Sequence, residues 1–297
     1  QDVFGNGPDD LLFMDHTVND RGNDRDQHER IRAVEGIIRR ARKLNPKIDI
    51  IVQYLVEPDS MAFYQRGEVP PVIADHDRVT QYYDVTAINL AQQVTEDIAR
   101  GAYTWENDFK NLHPSPFGHE VYVKRIASVF DAAWKGVDLA QAAVVDHAMP
   151  AAPIDALNYE RGRYVEVQTA QVASGWVYHE AWKASDGAGT RKQFQGVPTL
   201  EALKAGAAFT LDFEGTAVGV RVVAGPDAGI FEYSIDGKTY PPVDQFTQWS
   251  GGLHIPWAYM LATDLEQGKH RLMLKMSAEK NAKSTGHAAR VQEFLVN

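Results

Sequence analysis

The chain has 297 residues, 44% of them apolar, and at about 150 residues per domain this length points to two domains. It carries a formal charge of −10 and no Lys/Arg stripe interleaved with aromatics, which excludes nucleic acid as a partner. The absence of cysteine excludes disulfides and thiolate metal sites, and no apolar run reaches the roughly 20 residues of a membrane span.

In chain order, Leu11 to Met14 is a short continuous apolar strand of the kind buried in a parallel sheet. A helix follows, with Ile31, Val34, Ile37, Ile38, Ala41 and Leu44 at helical spacing, Asp26 as its cap and Asn45-Pro46 as its end. Ile48 to Val56 is a second strand and Tyr83 to Ile88 a third. A helix near Ala91 to Arg100 is stopped by Gly101. Ser115 caps a last helix opened by Pro116, whose apolar face runs through Val123, Ile126, Phe130 and Trp134. This alternation predicts an α/β domain over residues 1–138, a doubly wound parallel sheet that binds ligands at the carboxyl ends of its strands. Residues 139–155 are rich in Ala and Pro and read as a linker. Over residues 156–297 the pattern is of short Val, Ile, Phe and Tyr runs between Gly, Asp and Pro turns. It predicts an antiparallel β-sandwich of jelly-roll type, with Asp236-Gly237 at a hairpin turn.

Two stretches carry chemistry. One is Asp10-Leu-Leu-Phe-Met-Asp-His-Thr-Val-Asn19-Asp20, an apolar strand ending in Asn-Asp. The other is Asn111-Leu-His113-Pro-Ser-Pro-Phe-Gly-His119, a His-Pro ahead of a helix. Singly, the first reads as a turn and the second as a loop. In this order, spacing and context they resemble the third and fifth sequence blocks of the SGNH (GDSL-type) hydrolases. The resemblance implies an SGNH, flavodoxin-like fold over residues 8–135, with Asn19 donating to the oxyanion and His113 as general base. It also implies a nucleophilic serine and an oxyanion-hole glycine upstream of the first block. They are expected on a segment preceding this chain or on a second chain. The family places an aspartate three residues before the histidine, where this chain has Lys110. Asp108 is the favoured orienting acid. Asn111 can fix a tautomer but cannot stabilise an imidazolium by charge. The only serines of this half are Ser60, Ser115 and Ser128, and they do not supply the nucleophile: Ser60 lacks the sharp Gly-flanked strand-to-helix turn that exposes one, and Ser115 follows His113 too closely to face it.

The function expected is an esterase that removes acyl groups, acetyl foremost, from an oligo- or polysaccharide. Trp105 and Trp249 are the expected substrate-binding aromatics, and no cofactor or metal is expected. A non-catalytic carbohydrate-binding protein on a degenerate hydrolase scaffold is the alternative. A third reading, a glycoside hydrolase, needs two of Asp15, Asp20 and Asp108 facing each other across about 5–9 Å. A polysaccharide substrate implies secretion or the periplasm, although residues 1–20 show no signal-peptide pattern and cytoplasmic residence stays open.

Overall fold

The computed structural model describes residues 3, 4, 7, 9–138 and 140–297, so Leu139, the first residue of the expected linker, lies outside it. The chain forms two compact units that part between Glu160 and Arg161.

In the first unit the apolar run Leu11–Met14 is strand β1, which pairs in parallel with β2 (Asp49–Gln53); β2 pairs in parallel with β3 (Thr86–Ile88). The sheet order β1-β2-β3 leaves β1 at an edge, with Leu11 39% and Phe13 42% exposed. Among the described residues, six α-helices accompany the sheet: α1 (Thr17–Gly22), α2 (Gln27–Leu44), α3 (Pro58–Gln65), α4 (Pro71–Tyr82), α5 (Leu90–Ala99) and α6 (Pro116–Trp134). Asp26 accepts the Glu29 N–H at 2.9 Å and Ser115 the Gly118 N–H at 3.3 Å, each satisfying a backbone donor that a helix start leaves over. Helices α3 and α4 were not anticipated. Each opens on a proline at its first position, whose fixed φ suits a helix start and whose missing N–H costs nothing there.

Helix α2 departs most from its expected amphipathic form. Its apolar residues Ile31, Val34 and Ile38 face the core, yet Arg32, Glu35, Arg39 and Arg42 are buried as well. What covers them is the segment read as a linker. The Glu35 carboxylate accepts the Asp155 N–H at 2.9 Å, the Tyr83 hydroxyl at 2.6 Å and the Ile154 N–H at 2.5 Å. Arg32 pairs with Asp155 at 2.8 Å, Arg39 with Glu160 at 2.6 Å, and Arg42 donates to the Ala148 carbonyl at 2.9 Å. Gly36 permits this approach, since a Cβ there would stand 2.6 Å from the Tyr159 backbone.

The second unit holds thirteen short strands among its residues, in two sheets. The larger contains β4 (Arg163–Val165), β6 (Trp176–Trp182), β7 (Gly189–Thr190), β8 (Val197–Ala202), β10 (Val218–Ala224), β14 (Leu253–Ala262) and β16 (Ala289–Val296). The smaller contains β5 (Gln171–Ser174), β9 (Ala208–Gly215), β11 (Ile230–Ile235), β12 (Lys238–Thr239), β13 (Val243–Asp244) and β15 (Gly268–Met276). Pairing is antiparallel apart from β7 against β14. Inward residues of both sheets, Val220, Val222 and Phe294 from one and Phe209, Leu211, Phe231 and Leu274 from the other, make one core. Asp236 and Gly237 take the expected hairpin turn, both at positive φ, 52° and 81°.

Candidate active site

The carboxyl ends of the parallel strands carry the polar residues. Beyond β1 the chain enters α1 at once, so Asn19 lies on a helix and not on a turn. Asn19 is exposed, and among the described residues its amide has no hydrogen-bond partner in the chain. His16 caps α1 without a side-chain bond; burial holds its imidazole below the ordinary value, against the opposing pull of Asp20, so the ring is neutral near pH 7. Asp20 accepts from His76 Nε2 at 2.9 Å, and His76 lies fully buried, edge-on to Tyr54. No local sequence pattern announces this Asp20–His76 pair, because its members lie 56 residues apart on α1 and α4.

His113 sits on a loop shaped at both ends. The chain leaves α5 and makes a π-helical turn, Trp105–Phe109, closed by Lys110 at φ 82°. The Asn111 side chain accepts the His113 N–H at 2.7 Å, and the Ser115 hydroxyl donates to the Asp108 carbonyl. Pro114 packs on Gly118 so closely that no Cβ fits there. Phe109 is buried against Trp105 (stacked, 5.3 Å) and Tyr122 (edge-on, 5.5 Å). The Tyr122 hydroxyl accepts the Val56 N–H at 3.1 Å, just past β2, and burial pushes its phenol up to about 12. Through Phe109 and Tyr122 the His113 loop is fastened to the carboxyl end of the sheet. The imidazole itself is exposed and, among the described residues, unbonded.

The expected orienting acid is otherwise engaged. Asp108 Oδ2 accepts the Thr104 N–H at 2.8 Å and the Thr104 hydroxyl at 3.0 Å, locking the π turn, and no hydrogen bond joins it to His113. Asn111 spends its carbonyl on the backbone of the same loop and not on the ring. Trp105 is half-buried on Phe109. Ser60 lies buried in α3 with its hydroxyl 3.4 Å from the Glu57 carboxylate, and no imidazole bonds it. Arg21 grips the same carboxylate with two nitrogens.

In the second unit, Trp249 is 52% exposed, while Phe246 and Trp257 pack on the core. Trp257 belongs to β14. Asp186, Asp227 and His254 place one ligand atom each within 4.8 Å of one another, the geometry of a cation site. Their charges are already met: Arg290 holds both Asp227 oxygens at 2.8 Å, and His254 Nε2 is 2.9 Å from Asp186.

No protein-family model and no curated protein matches this chain. Among solved structures, two crystal structures of a two-domain esterase (CEX) active on acetylated mannans superpose on it with TM-scores of 0.67 and 0.68. The first is co-crystallised with mannopentaose, and the identities are 18% and 19%. Each match covers 97% of this chain and 72% of that one. The chain has the fold of that two-domain esterase. A family two carbohydrate esterase from Clostridium thermocellum, in complex with cellohexaose, matches 40% of the chain with a TM-score of 0.25, too low to bear on the fold. Among the described residues no helix is long and apolar enough to cross a membrane.

Proposed function

We propose that this chain is the larger part of an SGNH-type serine esterase that removes acyl groups, acetyl foremost, from an oligo- or polysaccharide outside the cytoplasm. The nucleophilic serine belongs to a segment upstream of this chain. The observation that carries the reading is the pair of unengaged groups, the Asn19 amide beyond β1 and the His113 ring on the fastened loop. The fold shared with an esterase active on acetylated mannans supports the carbohydrate. The exposed edge of β1 supports the upstream segment, because a further parallel strand there would bury Leu11 and Phe13. In this reading the α/β unit has SGNH topology, residues 1–138 are its hydrolase part and the sandwich is a jelly roll.

The steps follow from the chemistry of the groups. His113 takes the proton of the serine hydroxyl as its oxygen attacks the acyl carbonyl. The carbonyl oxygen becomes negative and accepts from the Asn19 amide. Collapse breaks the bond to the sugar oxygen, which leaves with the proton from His113. Water, deprotonated by His113, then hydrolyses the acyl-serine. With Asp108 bonded to Thr104, His113 works in a dyad unless Asp108 exchanges partners. The test is acetate release from an acetylated manno-oligosaccharide by the chain extended upstream through the serine. Release abolished by His113→Ala supports the proposal, and no release from the unsubstituted extended chain overturns it. The exposed Trp249 favours one second reading, glycan binding without turnover, which calorimetry on the 297-residue chain would detect.

A further inference from the structure

A cavity of about 210 Å³ opens beside the proposed oxyanion donor, lined by Asp20, Arg21, Asp24, Arg25, Arg30 and Ser60 together with Phe63 and the Pro70–Val72 corner. Asp20 and Arg21 follow Asn19 directly along α1, and Ser60 and Phe63 come from α3. Its volume lies below the roughly 300–1,000 Å³ of sites for drug-sized ligands, which suits a single ring.

The cations of this wall are neutralised within the protein. Arg21 is held by Glu57 and Asp59, Arg30 by Asp75, and Arg25 by Glu29 at 3.2 Å. Donors are left over: a guanidinium has five N–H groups, and Arg21 spends three on its two carboxylates. An acceptor is left over as well. The Asp24 carboxylate, exposed at φ 50°, has no partner among the described residues. Against these stands an apolar wall of Phe63, Pro70, Pro71 and Val72, with the Arg66 guanidinium 4.8 Å over the Phe63 ring. Spare donors and an acceptor, no unmet positive charge and one aromatic face match a polyhydroxylated ring with an apolar C–H face. They do not match an anion.

We propose that this cavity is a subsite for one uncharged sugar ring of the glycan, placed beside the acyl-transfer centre by α1. Phe63 packs on the C–H face, Asp24 accepts from ring hydroxyls, and Arg21 donates to them. The proposal rests on the carbohydrate reading above, but its test needs no turnover. Calorimetric titration of the 297-residue chain would use unacetylated mannopentaose and, in parallel, an oligosaccharide of uronic acids. Binding of mannopentaose in preference to the uronic acids is expected, weakened about tenfold by Phe63→Ala and by Asp24→Asn. Asp24 is exposed, so that variant folds even if the Phe63 variant does not. Three results overturn the subsite: no binding of mannopentaose, preference for the uronic acids, or loss on Trp249→Ala with neither cavity variant having an effect. An extended chain that releases no acetate while the cavity variants still weaken binding would sink the esterase reading and leave the subsite standing.

Discussion

Gly118 and Pro114 approach so closely that a Cβ on residue 118 would lie 2.6 Å from the Pro114 Cβ and 3.1 Å from the Phe109 ring. Both neighbours are stiff, one a pyrrolidine and the other a buried ring, so neither yields cheaply. Gly118→Ala is therefore expected to cost about 1–3 kcal/mol as an overpacked contact, read as a fall in the midpoint of thermal unfolding. Pro114 follows His113, so the same variant in the extended chain should lower kcat beyond what its stability explains. An unchanged midpoint would show that the loop moves freely, contrary to its fastening through Phe109.

The two proposed catalytic groups should separate kinetically in the extended chain. His113→Ala removes the base and is expected to abolish acetate release. Asn19→Ala should lower kcat by about 100-fold with KM nearly unchanged, the signature of a bond made only in the transition state. Asp108→Ala is expected to act mainly on the stability of the π turn, because its carboxylate bonds Thr104. A large fall in kcat at constant stability would show instead that Asp108 reaches His113 during the reaction.

The 297-residue chain alone should be inert towards p-nitrophenyl acetate and should resist serine-directed fluorophosphonates. Ser60 is buried with its hydroxyl near the Glu57 carboxylate, a group already gripped by Arg21. Stoichiometric labelling of Ser60, located by mass spectrometry of the peptides, would remove the need for an upstream serine.

Two histidines should give stability opposite pH dependences. Burial lowers the pKa of His16, so its contribution is present above the unfolded value of about 6.5 and is lost as pH falls through the folded value. At His270 burial also lowers, but the hydrogen bonds to Asp236 and the Glu266 carbonyl outweigh it and the pKa is raised. That contribution is present below about 6.5 and fades as pH rises through the folded value. Denaturant unfolding at pH 5.5 and 8.5 checks both. His270→Gln should cost more at the lower pH and His16→Gln more at the higher, and equal costs at both would contradict the pair.

Strand-forming runs and caps were legible because they are local. Leu11–Met14, the Asp26 and Ser115 caps and the Asp236-Gly237 turn each follow from a few adjacent residues. The expected strand Ile48 to Val56 is shorter, ending at Gln53, because Tyr54 and Val56 turn to bond α5 and Tyr122. Helix α4 hid behind its composition: Asp75 and His76 read as surface, yet they are buried by pairing with Arg30 and Asp20, more than forty residues away. Strand β14 hid for a related reason, since Pro256 sits within it and two glycines precede it. Of the proposed site, Asn19 and His113 stand out in the sequence as motifs. The engagement of Asp108 with Thr104 does not, because it depends on a π turn that spacing does not announce.

From Glu29 to Arg42 no residue of α2 is exposed, since the core takes one side and residues 147–160 take the other. A saturation-mutagenesis map of this helix should lack the three-to-four-residue rhythm of tolerated positions that marks a surface helix. Charge reversal at Arg32 or Glu35 should be rejected as firmly as a polar residue at Ile38. A helix whose ionic face is as closed as its apolar face makes the 147–160 strap a structural part of the α/β unit, so cutting the chain before residue 147 should unfold that unit and not simply release the sandwich.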